Sequence, residues 1–336
     1  MNIKQVAKVA GVSVSTVSLA LNDKPGVSEE KRMRVLGVAK KLNYIPSNVA
    51  RSLVTKKTKS VGVIVPDISE VFYGVLARAV QDELSVQHYS MVLCNSDNRP
   101  EKESGALSFL IEKGVDGIIM VPGTSANVEE LKKRRVPVVF VDRYAEGIEA
   151  SYVGTDNERL GYETTKHFIR MGHSRIGCIS GPSGATSSEE RISGYRRALS
   201  EDGIKYDRLI IKESDLSVEG GYRAAREMIA LKEMPTALFV MGDTCAIGVY
   251  KALEEENLAI PGAVAVIGFD DMPFAPFLKV PLTTVKQPIR EFGRISVELL
   301  FDTIRSKNHN QKEKVILSSE LIIRESCGFK LAGVRL

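Results

Sequence analysis

A chain of 336 residues with 43% hydrophobic content exceeds what one domain normally needs and can fill sizeable cores. No stretch reaches the ~18 apolar residues of a membrane span, the opening residues lack the apolar run of a signal peptide, and the four cysteines, Cys94, Cys178, Cys245 and Cys327, show no Cys-x-x-Cys spacing. A cytoplasmic protein with reduced thiols is expected, not a membrane protein, a disulfide framework or a zinc site. The net charge of +4 is unevenly spread: twelve basic and three acidic residues up to Lys59 give +9, and the remainder carries −5. A basic head on a slightly acidic body is the electrostatic footprint of a phosphate-backbone binder.

The head begins with Ile3, Val6, Ala7 and Ala10 at helical spacing, then Gly11, which can take the positive φ of a tight turn, then Ser13, which can cap a second helix. A short helix, a glycine turn and a capped second helix make a helix-turn-helix pattern. On the second helix Val14, Val17, Ala20 and Leu21 fall on one side and can pack inward, which leaves Ser15, Ser18, Leu19 and Asn22 facing out, small enough to enter a major groove. A small amphipathic hairpin without DNA function would show the same pattern, and the charge of the head argues against it. A third helix is expected from the N-cap Ser28, with Glu29 and Glu30 complementing its dipole and Val35, Leu36, Ala39 and Leu42 forming an apolar stripe before Asn43. Pro46 ends that bundle. Residues 48–54 are helix-permissive but about two turns long, too short to be stable alone in water, and Lys56, Lys57 and Lys59 add phosphate-attracting charge.

The run Val6-Ala7-Lys8-Val9-Ala10-Gly11-Val12-Ser13, with Thr16-Val17-Ser18, Leu21-Asn22, Val27-Ser28 and Leu42-Asn43-Tyr44-Ile45-Pro46-Ser47-Asn48-Val49-Ala50-Arg51-Ser52-Leu53, resembles the head of the lac repressor and purine repressor family, with several blocks in order at fixed spacing. The resemblance implies a dimeric operator-binding regulator whose hinge helix folds on DNA and wedges a leucine, here Leu53, into the minor groove, a device known to kink duplexes. The alternative for Leu53 is an ordinary linker leucine packed on the body. The candidate DNA contacts are Ser13, Val14, Ser15, Thr16, Ser18, Leu19 and Asn22 of the head and Asn48, Arg51 and Leu53 of the hinge. Leu19 stands where the family often carries an arginine, the usual bidentate reader of guanine, so the binding mode carries over and the operator sequence does not.

Beyond the linker, strand-like and helix-like segments alternate. Residues 61–65, 91–95, 117–121 and 138–141 read as buried parallel strands separated by helices at 75–86 and 101–112. A second series follows: helix 160–171, strand 176–180, helix 189–201, a strand near 209–211, helix 220–231, strand 237–241, helix 246–256 and strand 264–269. A late helix, 291–305, follows Thr283-Thr284-Val285-Lys286-Gln287-Pro288, and two β-rich pieces, 315–318 and 321–324, close the pattern. The expected fold class is α/β: a small all-α helix-turn-helix head (1–46), a hinge helix and linker (47–59), and an effector-binding and dimerisation core (60–330) of two doubly wound parallel-sheet subdomains with a cleft between them. By resemblance to the family and to periplasmic sugar-binding proteins, the late segments cross back between subdomains.

Ligands of open α/β sheets sit outside the carboxyl ends of the strands, and there the sequence places Asp67, Asp142 with Arg143, Asp243 and Asp270. Four acids disfavour a strongly anionic ligand and suit a sugar: a carboxylate accepts from two adjacent hydroxyls, an arginine such as Arg191 donates to others, and Phe72 or Tyr73 stacks on the ring. The resemblance assigns Phe72, Tyr73, Asp142, Arg191, Asp243 and Asp270 to the effector pocket and puts Leu216 where purine-binding members have a stacking aromatic. Each has a purely structural alternative: Asp243 as a cap for a helix starting at Thr244, Asp67 and Asp142 as strand ends, Phe72 as core.

His88, His167, His173 and His309 form no metal-ligand or triad spacing, and Gly181-Pro182-Ser183-Gly184 lacks the ending of a phosphate-binding loop, so no catalytic residue, cofactor or metal is expected. A transport-type binding protein accounts only for the body, and an enzyme needs a constellation that is not there. A repressor answering to a small-molecule effector, a sugar, accounts for head, hinge and body together. The alternative is a catabolite-control-type regulator that answers to a phosphorylated carrier protein: Asp67-Ile68-Ser69 before Phe72-Tyr73 resembles that branch, while Val297-Glu298 replaces its basic residues. A dimer is favoured because no leucine-heptad tail precedes Leu336.

Overall fold

The computed structural model describes residues 2–44, 57–123, 136–145, 147–305 and 312–329. The chain divides into two compact units, Met1–Thr58 and Lys59–Leu336.

In the head, α1 (Ile3–Ala10) opens with a reciprocal cap absent from the sequence-based expectation: the Asn2 side chain accepts from the Gln5 amide at 3.1 Å and the Gln5 side chain accepts from the Asn2 amide at 3.0 Å. Gly11 ends it at φ +64°, a left-handed conformation that costs a glycine nothing. Ser13 then caps α2 (Val14–Leu21), its hydroxyl accepting from the Thr16 amide at 3.1 Å. Val6, Ala7, Ala10, Val17 and Ala20 pack with Val35 and Ala39 of α3 (Glu29–Lys41) into one small core.

Three expectations need correction. Val14 is 40% exposed, and Val12 of the turn packs against that end of the core in its place. Leu36 is exposed as well: the stripe that meets the core is Val35, Val38, Ala39 and Leu42, the true i, i+3, i+4, i+7 series. Ser28 occupies the N-cap of α3 with extended backbone, yet its side chain makes no capping hydrogen bond.

The body holds two six-stranded sheets. The first runs β11-β5-β4-β3-β1-β2, all parallel, from β1 (Ser60–Val65), β2 (Ser90–Asn95), β3 (Gly117–Met120), β4 (Val138–Val141), β5 (Ser151–Thr155) and β11 (Lys314–Leu317). The second runs β12-β10-β9-β8-β6-β7, from β6 (Ile176–Ser180), β7 (Ile211–Glu213), β8 (Ala237–Val240), β9 (Ala265–Asp270), β10 (Thr283–Lys286) and β12 (Glu320–Ile322), with only the β10–β12 pair antiparallel.

Alternation along β1 serves both faces of its sheet. Val61, Val63 and Val65 join a core with α4 (Val71–Val86) and α10 (Ile289–Arg305), while Ile64 packs with α5 (Pro100–Glu112) on the other side. In the second sheet α6 (Asn157–Arg170) and α7 (Thr186–Glu201) cover one face, and α8 (Val218–Ile229) and α9 (Asp243–Glu255) the other. The chain crosses between the subdomains three times, after β5, after β10 and after β11, so the late segments do return as the resemblance implied. Two strands escaped the sequence reading, β5 and β10, and the strand expected at 209–211 is a 3-10 turn, Arg208–Ile210, running into β7.

Candidate effector cavity and nucleic-acid interface

The carboxyl ends of both sheets contribute to one cavity of about 240 Å³ in the body. Loops after β1, β2 and β4 bring Asp67, Asn98, Asp142 and Arg143 from the first subdomain, and Leu216, Gly242, Asp270 and Gln287 come from the ends of β7, β8, β9 and β10 in the second. The first turn of α4 adds Glu70, Phe72 and Tyr73, the rings of the last two in an edge-to-face pair with centroids 5.2 Å apart.

Arg191 is built in by helix packing. Helices α6 and α7 cross so closely that a Cβ on Gly194 would lie 1.9 Å from the Glu158 carbonyl oxygen, and one on Gly161 would lie 2.2 Å from that of Arg191. Seated there and only 4% exposed, Arg191 donates from Nε to Asn157 Oδ1 at 2.8 Å and from Nη1 to the Met241 carbonyl at 3.2 Å. Its guanidinium lies over the Phe269 ring, 3.6 Å from the centroid, and Nη2 stands 3.9 Å from Asp142 Oδ1.

Asp142 and Asp270 have left-handed backbone, φ +63° and +114°, uncommon outside glycine and concentrated at ligand sites. Burial raises the Asp142 carboxyl above its ordinary range, opposed by the charges of Arg191 and Arg143. Burial pushes Asp270 well up too, with the charge of Asp243 adding to it, and Asp270 Oδ1 accepts from Gln287 Nε2 at 2.8 Å. Arg143 is steered by Asn98, whose Oδ1 accepts from Nη1 at 3.1 Å. Among the described residues, Asp142 Oδ1, Arg143 Nε and Gln287 Oε1 are buried polar atoms with no hydrogen bond in the protein. All three atoms belong to residues that line the cavity.

Five of the six expected effector residues, Phe72, Tyr73, Asp142, Arg191 and Asp270, line this cavity. Asp243 does not, which corrects that expectation. As the first residue of α9 it is fully buried, with Oδ1 accepting from the Thr284 hydroxyl and Oδ2 from the Met272 amide, both at 2.7 Å, and burial pushes its carboxyl up to about 7. It braces β9 and β10 from inside. Glu70 and Gln287 were absent from the expected set, and Arg143 was expected at a strand end without an assigned effector role. Arg143 directly follows Asp142, and Gln287 directly follows β10, the strand that the sequence reading missed.

In the head, Ser13, Ser15, Ser18 and Asn22 are exposed on α2 and its cap, together with Val14, and Thr16 is half-buried. Leu19, expected to face out, is half-buried with Cδ1 beside Gly26. Asn48, Arg51 and Leu53 lie outside the described residues. No described helix is long and apolar enough to cross a membrane, and no group of three or more His, Cys, Asp or Glu among the described residues could hold a metal.

A small helix-turn-helix unit joined to a clefted pair of parallel sheets defines a class: ligand-responsive DNA-binding regulators built on a periplasmic-binding-protein-like body. The model for bacterial regulatory proteins of the lacI family matches residues 2–47, and that for a periplasmic binding protein-like domain matches residues 165–327. The HTH-type transcriptional repressor PurR of Photobacterium profundum is 35% identical over 327 residues, 96% of this chain and 98% of that protein. The Lac repressor dimer bound to operator and the anti-inducer ONPF is similar with a TM-score of 0.88 and 25% identity, covering 97% of this chain and 99% of that one. The complex of the transcriptional regulator CelR with cellobiose has a TM-score of 0.73 and 29% identity over 97% of this chain and 99% of that one. The chain belongs to the lacI family of bacterial regulatory proteins. It is a DNA-binding transcriptional regulator of the repressor type with an effector-binding body, and not an enzyme.

Proposed function

We propose that the body binds a neutral sugar or sugar derivative of about one ring, and that this controls how tightly a homodimer holds a pseudo-palindromic operator. The carrying observation is the trio Asp142 Oδ1, Gln287 Oε1 and Arg143 Nε, two acceptors and a donor that make no hydrogen bond within the protein and belong to residues of the cavity wall. Buried polar groups of this kind cost about 1–3 kcal/mol each when unmet, and adjacent hydroxyls, which both donate and accept, meet all three. Phe72 and Tyr73 offer an apolar wall for the ring face, and Leu216 offers no aromatic face for a base. The cavity of about 240 Å³ falls below the roughly 300–1,000 Å³ typical of ligand pockets, which suits one sugar ring. The cellobiose-bound neighbour supports a carbohydrate.

Control follows from the cavity drawing on both subdomains. A ligand held by Asp142 on one side and Asp270 on the other favours one angle between them, and in the dimer that angle sets how the first subdomains meet and whether the hinges, residues 47–59 between the head (1–46) and the core (60–330), can pair. Such coupling is typically about 1–3 kcal/mol, a shift of roughly 5- to 150-fold in operator affinity. On DNA, Ser13, Val14, Ser15, Thr16, Ser18 and Asn22 serve a major groove with Leu19 shaping that face, while Asn48, Arg51 and Leu53 serve the minor groove between half-sites. A protein whose ligand is chromosomal DNA works in the cytoplasm.

The carrier-protein alternative has less support. Val297 is buried in α10 and Glu298 is paired with Arg294 at 2.7 Å, so positions 297 and 298 present no cation to a phosphoserine.

Calorimetry of the full chain with a panel of aldopentoses, aldohexoses and purines, beside operator binding with and without each, tests the reading. The expected result is binding of a sugar that Asp270→Ala and Arg191→Ala abolish. Unchanged sugar affinity in both variants, or a purine bound in preference to every sugar, overturns it.

A further inference from the structure

We infer that the effector carries a cationic amino group in addition to its hydroxyls, and that Glu70, together with Asp67 and Asp215, receives it. The inference rests on the sugar reading of the cavity and narrows its ligand class.

Charges around the cavity fall into two groups. In the buried group Asp142 and Asp270 are matched by Arg143 and Arg191, two carboxylates against two guanidiniums. Hydroxyls suit that balanced end. The outer group is Asp67 and Glu70, from the segment between β1 and α4, and Asp215, from the loop after β7 on the other subdomain. No described cation lines the cavity at that end: the exposed Arg223 stands 4.0 Å from Asp215 Oδ2 outside the lining, and the neutral groups of Ser217 and Ser69 occupy one oxygen each of Asp215 and Asp67, leaving their charges to the cavity. Asp97, also in the lining, is answered by Lys102.

The imbalance registers on Glu70. Burial pushes its carboxyl up to about 7, and the charges of Asp67 and Asp215 add to this against a hydrogen bond from the Thr244 side chain. A surrounding that makes a glutamate take up a proton near neutrality also favours any other cation, and an ammonium brings three donors where a proton brings one. The two groups belong to one cavity, since Tyr73 feels the charges of Arg143, Asp142 and Asp270 as well as that of Glu70. That a ligand belongs in this cavity is supported independently by Asp142 and Gln287 of its wall, each only 5% exposed and each with an oxygen that makes no hydrogen bond within the protein.

The test is calorimetry on the full-length protein at about pH 8. Each aldopentose and aldohexose is compared with its terminal amino-deoxy analogue and with its uronate. The expected result is an amino analogue roughly tenfold tighter than its neutral parent, which corresponds to about 1.4 kcal/mol, and a uronate weaker than both. The preference shrinks as the pH falls to about 6, because Glu70 gains a proton while an alkylamine with a pKa of about 10 keeps its charge. E70Q and D215N reduce the ratio of the two affinities. A neutral sugar that binds with no gain from the amine at either pH overturns the inference and leaves the sugar reading standing, as does a preference that survives in both variants. If neither neutral nor amino sugars bind, the sugar reading itself fails.

Discussion

Asp243 and Asp270 begin alike, as carboxylates that follow buried strands, and finish in different roles because of which neighbours reach them. Asp243 turns inward to Thr284 and the Met272 amide, while Asp270 faces the cavity beside Gln287. The Asp243 carboxyl stands at about 7 against an ordinary 3.8. A carboxyl whose pKa is higher folded than unfolded favours the fold fully below its unfolded value and loses that contribution as the pH rises through its folded value. Stability of the body should therefore decline between about pH 4 and 7, by up to about 4 kcal/mol from this group alone at about 1.4 kcal/mol per unit. An asparagine side chain matches the shape of the protonated acid, so D243N should flatten the decline in urea denaturation at pH 5 and 8; an unchanged slope means that Asp243 is ionised in the fold. Arg191 differs again, since its fork, its stack on Phe269 and its proximity to Asp142 all depend on planarity. R191A should cost about 3–5 kcal/mol by leaving Asp142 with a poorer counter-charge, and R191K should fold better than R191A yet still lose the sugar response.

Among the elements, α7 links packing to function. It carries Arg191 at a position set by the backbone contact of Gly194 with Glu158 on α6. G194A must push the helices apart, so a loss of more than about 2 kcal/mol is expected, with sugar affinity falling in the same variant. If the variant binds sugar normally, the helix contact does not position Arg191. In the head, α2 has eight residues, with the Ser13 side chain capping its first turn and the Asn22 side chain donating to the Ser18 carbonyl at its end. S13A should lower the stability of the head by about 1 kcal/mol and leave sugar binding by the body unchanged, as two-transition thermal unfolding can show. The same scale shows where sequence patterns mislead. Val14 has the right spacing for the core and is 40% exposed, while Val12 of the turn before it packs on that core. Periodicity gives direction around a helix and says nothing of how far along it a neighbour extends.

At the scale of the whole molecule, charge divides the labour: +9 up to Lys59 and −5 beyond it. Operator affinity should fall roughly 10³-fold or more between 50 and 200 mM salt, while sugar affinity changes little. A flat salt response in a filter-binding or anisotropy titration contradicts phosphate binding by the head. L53G should weaken operator binding far more than binding to random duplex and leave the melting of the body unchanged; equal losses on both DNAs exclude the wedge.

Much of this was legible in the residues alone. The head, the alternation of strands and helices and the placement of Asp142 and Asp270 follow from local pattern: helical spacing, a turn glycine, buried apolar runs and the rule that ligands gather at the carboxyl ends of parallel strands; Arg191, inside a helix, was placed by the family resemblance. β5 and β10 were not, because Ser151-Tyr152-Val153-Gly154-Thr155 and Thr283-Thr284-Val285-Lys286 owe their strand state to neighbours already in the sheet more than to apolar character of their own. With β10 unseen, Gln287 had no strand end to belong to. The split between Asp243 and Asp270 was equally out of reach, since both follow a strand and only the packing of α9 against β9 and β10 decides which carboxylate turns inward. The type of most elements and the chemistry at the ends of the strands that could be read were thus determined by the sequence by itself. Which of those groups share a cavity, and which are consumed in bracing it, is settled only in the tertiary structure, because hydrogen bonds and burial depend on distances between segments far apart in the chain.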